Sequence, residues 1–193
     1  MSREKLLTLV IGAAIAIAVI VPLGAFAFIK SGIYNVAASK PHTIITEWVT
    51  HETMIHSVRS HAKGIEAPAN VTAAQVKSGF CTYDTHCVAC HGASGVARRQ
   101  WAGGFEPQPP YLIDAGSRWK PRELFWIAKN GIKMTGMPSW KNSMSDRQIW
   151  DLVAFLEAMP KMDSQTYVHW RAAGICPLLS ARPSPGPLPT PRP

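Results

Sequence analysis

The chain has 193 residues, a net charge of +8 and only 17% charged residues, which suits one domain with extensions and excludes a disordered chain. Four cysteines are too few for a disulfide-dense scaffold. The basic residues form no run that could track a phosphate backbone, which argues against nucleic acid as a partner, and the single apolar block excludes a multi-span transporter.

That block comes first in the chain. Arg3 and Lys5 precede an uncharged stretch from Leu6 to Ile29, and Lys30 ends it. A helix of that length spans about 36 Å, against a bilayer core of about 30 Å. Residues 1–30 are therefore expected to form a membrane anchor, with a cleaved signal peptide as the alternative. Ala25-Phe26-Ala27 has the small-x-small form of a cleavage site, but the apolar run continues past it through Phe28 and Ile29. The basic tip should stay inside, and either reading exports the rest of the chain.

Residues 31–70 read as a juxtamembrane linker with one amphipathic helix, because Ile44, Ile45, Trp48, Val49, Ile55 and Val58 recur at helical spacing. The stripe would pack on the main domain, lie on the membrane or meet a partner helix. His51 and His56 are five positions apart, which does not align them on one face, so they read as solvated polar positions.

Residues 71–170 read as the main domain. Thr72-x-x-Gln75 is a capping box, and Val76, Gly79, Phe80, Tyr83 and Cys87 continue one helical face. Residues 92–120 are rich in Gly, Pro and Trp and read as ordered loop. Pro121 and Gly131 bracket a short helix. Ser145-x-x-Gln148 opens another, limited by Pro160, with Ile149, Leu152, Val153 and Leu156 inward and Trp150 and Phe155 at its flanks. Residues 171–193 read as a disordered tail, since 7 of the 17 residues from Pro177 are proline. No segment shows strand alternation, so the fold class is all-α. Three short helices in about 100 residues would struggle to build a core from side chains alone, and a large apolar cofactor would fill it.

Cys87-Val88-Ala89-Cys90-His91 is a C-x-x-C-H sequence, the signature of c-type haem attachment. Two thiols three positions apart reach the two vinyl groups of one porphyrin, and the next residue delivers an imidazole beneath the iron. A thioredoxin-like dithiol expects a βαβ context, and a structural zinc site expects four ligands. Neither is visible here.

The sixth iron position needs a partner. Met137 stands between Gly136 and Pro138, which holds its backbone out of the helical region and puts a thioether on an irregular loop. Met134 lies nearer the helix end and is expected to pack or face solvent. His91/Met137 ligation would raise the reduction potential and fill both axial sites. Of the other cysteines, Cys176 begins the tail, and tail residues are rarely held, so an ordered bridge to Cys81 is not the expectation.

At these residues the chain resembles the bacterial class I c-type cytochromes, and within them the membrane-anchored mono-haem group. The resemblance runs from about residue 71 to 160. Gly79, Tyr83 and Cys87 resemble the family's N-terminal helix. Glu123 to Trp140 is similar to its distal-ligand segment, with Met137 in the ligand's place, and Ile149 to Leu156 to its C-terminal helix. Residues 32–38, Gly-Ile-Tyr-Asn-Val-Ala-Ala, also look family-like. The resemblance implies a cytochrome c-like helical domain around one covalent haem c, preceded by a single transmembrane helix, with the haem domain in the periplasm of a bacterial inner membrane. It implies crossing of the two terminal helices near Gly79, and a proline carbonyl, Pro109 or Pro110, accepting from the ring of His91. It leaves the role of Tyr111 open, and Trp140 is a candidate wall of the haem pocket.

The function expected is single-electron transfer by a membrane-tethered mono-haem cytochrome, not independent enzyme chemistry. Donors would be a quinol-oxidising complex or a periplasmic dehydrogenase, and acceptors a terminal oxidase or another cytochrome. The alternatives are a haem-containing subunit of a larger membrane oxidoreductase and a haem peroxidase-like enzyme.

Overall fold

A computed structural model describes residues 2–176. They fall into two compact units, one up to Lys40 and one from Pro41 onward. Among the described residues there is no strand, only an isolated bridge between Ala93 and Val96.

The first unit is helix α1, Arg3–Ser31. Ser2 caps its N-terminus, Lys30 sits in its last turn, and Gly32 ends it in the left-handed region at φ 67°. None of its residues is buried, and it is long and apolar enough to cross a membrane.

The second unit opens with α2, Ile44–His61, capped by Thr43. Its N-terminal apolar residues, Ile44, Ile45 and Trp48, are exposed. Its C-terminal end is not: Val58 and Ala62 are buried, and the His61 ring lies 5.7 Å from that of Trp126. The helix thus shares a compact unit with the later helices, and that unit begins at Pro41, where the sequence suggested a linker as far as residue 70.

Helix α3, Ala73–His86, begins where the capping box places it, with Thr72 and Gln75 bonded reciprocally. A break at Cys87 separates it from the single turn α4, Val88–His91. The next loop contains a short 3₁₀ turn, Gln100–Gly104, and α5, Ala115–Arg118. Helix α6, Pro121–Asn130, is closed by Gly131, and α7, Asp146–Ala158, opens on the Ser145/Gln148 box.

The core forms where α3 crosses α7. Gly79 makes the crossing possible: a Cβ there would overlap the backbone carbonyl of Asp151 and the Cβ of Phe155. Phe80 meets Phe155 edge-on, with centroids 5.7 Å apart, a favoured arrangement of ring quadrupoles. Full burial of each such phenylalanine contributes about 1.5–3 kcal/mol. Phe155 is completely buried and not a flank, because an unforeseen helix covers it.

That helix is α8, Ser164–Ala172, capped by Asp163. Its Tyr167 is buried and meets Phe80 at 5.0 Å, as Trp170 does at 5.3 Å. The Tyr167 hydroxyl donates to Asp84 of α3 at 3.0 Å, and Arg171 pairs with the same carboxylate at 3.3 Å. A disulfide joins Cys81 to Cys176. Ordered structure therefore continues to Cys176, beyond the boundary placed at residue 170, and the bridge corrects the expectation of unpaired cysteines. The disordered tail expected from Pro177 lies outside the described residues.

Candidate functional site

Cys87, Cys90 and His91 occupy one helical turn. The Cys87 carbonyl accepts from the backbone N–H of Cys90 at 3.1 Å and of His91 at 2.9 Å. Both thiols are free, while the other two cysteines are paired with each other. Cys87 is buried and Cys90 partly so. Burial, with a smaller effect from Cys90 nearby, pushes the Cys87 thiol up to about 12.

The turn is fixed from several sides. The Tyr83 hydroxyl, buried in α3, donates to the Gly92 carbonyl just past the turn. The same burial lifts its phenol well above the ordinary range, so it remains a donor. Gly92 has φ 64°, and a Cβ on it would stand 2.9 Å from the Tyr111 ring and 3.0 Å from the Val96 carbonyl. The Arg99 N–H reaches back to the Ala89 carbonyl at 2.9 Å.

The buried imidazole of His91 donates from Nδ1 to the Pro110 carbonyl at 2.7 Å, which leaves Nε2 as the nitrogen available to a metal. Pro109 is engaged otherwise: Arg98 donates to its carbonyl at 2.8 Å. The Arg98 guanidinium also lies 4.2 Å from the centroid of the Tyr111 ring. Burial depresses the His91 pKa, the Arg98 charge adds to this, and the bond to Pro110 opposes it. The ring is thus held neutral, as a metal ligand must be.

Met137 lies on a separate loop, closed on itself. Thr135 Oγ1 donates to the Ile132 carbonyl at 2.8 Å and accepts the Met137 N–H at 3.0 Å. The Ile132 N–H bonds the Met137 carbonyl at 3.2 Å. Gly131 must be glycine, since it has φ 67° and a Cβ there would stand 2.6 Å from the Pro138 carbonyl carbon. Met137 is half-buried, while Met134 is 90% exposed at φ 57°. The two methionines three residues apart are thereby separated into a half-buried one and a solvated one.

Two contacts tie this loop and its flank to the cysteine-bearing region. The His86 ring, just before Cys87, lies 5.0 Å from that of Trp140, and partial burial lowers the His86 pKa. Phe105 packs on Gly136, where a Cβ would stand 2.8 Å from the ring. Arg98, Phe105 and Thr135 were not singled out by the sequence. Only the small residues around them, Gly92 and Gly136, hinted at close approach.

Two free thiols and an imidazole with one open nitrogen, all within a single turn, are the donor set that a covalently attached haem requires. Among the described residues, no group of three or more His, Cys, Asp or Glu side chains is placed to hold a metal ion. His51 and His56 are exposed and lie near Glu52, at 4.0 and 3.7 Å, as a solvated face.

Residues 74–156 match the family model described as cytochrome c oxidase, cbb3-type, subunit III. No curated protein and no solved structure matches the chain.

Proposed function

We propose, from the premise that residues 74–156 are a c-type cytochrome domain, that the chain is a membrane-tethered mono-haem electron carrier. Cys87 and Cys90 would hold one haem c through thioethers, and His91 and Met137 would ligate its iron. The bound haem supplies a one-electron couple between ferrous and ferric iron. The observation that carries this reading is the His91–Pro110 bond, made in the same turn as the two free thiols.

The side chains divide the work. Pro110 holds the imidazole by its Nδ1 proton, so that the lone pair on Nε2 is left to ligate a metal. Met137, on a hydrogen-bonded loop, would supply the second iron ligand and so leave no site for water. A filled site favours outer-sphere electron transfer over binding of oxygen or peroxide, so the chain performs no substrate chemistry of its own.

Helix α1 anchors the domain in a bacterial inner membrane with the haem on the periplasmic side, as Arg3 and Lys5 at its tip favour. Tethering raises the effective concentration of the domain near membrane partners. Those partners are a quinol-oxidising complex or periplasmic dehydrogenase on the donor side and a terminal oxidase or second cytochrome on the acceptor side. The matched family's description names an oxidase subunit, which favours a second reading, that of a haem subunit within a larger membrane oxidoreductase.

Purification of the full chain in mild detergent tests both. A dithionite-reducible, ascorbate-reducible haem c that passes electrons to a separate cytochrome supports the carrier. A stoichiometric complex with co-purifying oxidoreductase subunits supports the subunit. Fast carbon monoxide binding to the native reduced form contradicts both and points to a peroxidase-like enzyme.

A further inference from the structure

We infer that Phe105 is a positioning residue for Met137, bracing the ligand loop from a segment that is itself anchored to the haem-attachment turn. The inference rests on the reading of Met137 as an axial ligand. The bonds among Ile132, Thr135 and Met137 fix the shape of their loop. They do not fix how that shape sits against the rest of the domain. At Gly136, next to Met137, that attachment is made by an aromatic ring: a Cβ on Gly136 would stand 2.8 Å from both Cδ1 and Cε1 of Phe105 and 3.2 Å from its Cγ.

The ring is anchored in turn. Phe105 comes directly after the 3₁₀ turn Gln100–Gly104, and Trp101 of that turn meets it edge-on at 6.0 Å. Within the turn the Ala102 N–H bonds the Arg99 carbonyl at 3.0 Å, and the Ala102 side chain is fully buried. The Arg99 N–H bonds the carbonyl of Ala89, which lies between Cys87 and Cys90. A path therefore runs from the Cys87–His91 turn by the Ala89–Arg99 bond, along the 3₁₀ turn to Phe105, and from its ring to Gly136 beside Met137. It couples the segments that carry the two axial ligands.

A thioether is a neutral, weak ligand, so the population of the open loop decides how readily another ligand takes its place. The apparent affinity for an added ligand rises in proportion to that open fraction. Without the ring the loop loses its apolar brace, and the open fraction grows. Gly136 has to stay small for the same reason, because a methyl group there competes with the ring for one space.

The test uses the intact haem-loaded chain in detergent, with imidazole as the probe. In Phe105→Ala, imidazole is expected to bind the ferric form about tenfold more tightly, as for a loop opened about tenfold more often. The long-wavelength Fe–S charge-transfer band weakens, while the Soret band and the far-ultraviolet dichroism remain. Phe105→Leu, which keeps an apolar side chain on Gly136, recovers most of the band. Gly136→Ala moves band and affinity in the same direction as Phe105→Ala. The double variant is no worse than Phe105→Ala alone, because the methyl enters the space the ring has left. Wild-type affinity and band in Phe105→Ala, or additive effects in the double variant, overturn the brace. A native spectrum without the charge-transfer band, unchanged by Met137→Ala, overturns the ligand reading and the brace with it.

Discussion

The His91 ring donates from Nδ1 to the carbonyl of Pro110 at 2.7 Å, and that single bond leaves Nε2 as the nitrogen the ring can offer to a metal. The preceding carbonyl, of Pro109, is taken by Arg98. Of two consecutive proline carbonyls, one thus holds the His91 ring and the other holds the Arg98 guanidinium.

The same ring sets a pH dependence. The folded pKa of His91 lies below its ordinary value of 6.5, so the folded state binds fewer protons than the unfolded chain near that pH. Its contribution to stability is complete above the ordinary value and is lost as pH falls below it. Ligation of iron by Nε2, as proposed, would act in the same direction. The low-spin ferric spectrum should therefore persist well below the ordinary histidine range in an acid titration. Conversion to high spin within that ordinary range contradicts a buried, neutral His91.

Tyr83→Phe removes the hydroxyl that donates to the Gly92 carbonyl and leaves that buried acceptor unmatched. The expected loss is about 1–3 kcal/mol, read as a lower denaturant midpoint with an unchanged slope. Haem content should be retained, because no thiol or axial ligand is touched.

Gly79→Ala places a methyl group inside the α3–α7 crossing, against the Asp151 carbonyl and the Phe155 Cβ. Neither obstacle is the far end of a flexible side chain, so one helix has to move. Overpacking of this kind costs about 1–3 kcal/mol or more and should lower the thermal midpoint strongly. A neutral Gly79→Ala contradicts the crossing.

The Cys81–Cys176 bridge closes a loop of 95 residues in sequence separation. Cys176→Ser should cost about 2–5 kcal/mol and release α8 from α3, with Tyr167 and Trp170 gaining exposure. Non-reducing mass spectrometry of the wild type should find the cross-linked peptide. Two free thiols at these positions contradict the fold of the C-terminal segment.

Much of this arrangement is written locally. Thr72 and Gln75, and Ser145 and Gln148, satisfy orphan backbone groups at helix starts, while Pro121 fits a first helical turn and Gly131 a stop, so α3, α6 and α7 are legible without tertiary information. Helix α8 is not. It is nine residues long, buries only Tyr167, and carries Gln, Thr, His and Arg on the rest of its surface. Its signal is the cap, Asp163, which accepts from the Thr166 N–H at 2.6 Å; those bonds hold the Asp163 carboxyl below the usual range. The cysteine pairing depended on seeing that helix. The extent of the second unit was equally hidden, because α2 is exposed at its start and buries only Val58, and its contact with α6, His61 against Trp126, spans about 65 residues of sequence. The choice of Pro110 over Pro109 is purely a matter of three-dimensional placement.

The central claim is that a haem is covalently held at Cys87 and Cys90. Mass spectrometry of the tryptic peptide running from Ser78 to Arg98, taken after reduction from membranes of cells able to mature c-type cytochromes, tests it most directly. The account predicts that peptide at the mass of its amino acids plus one haem, with the haem surviving acid extraction. The bare peptide, with two alkylatable thiols at Cys87 and Cys90, would contradict it.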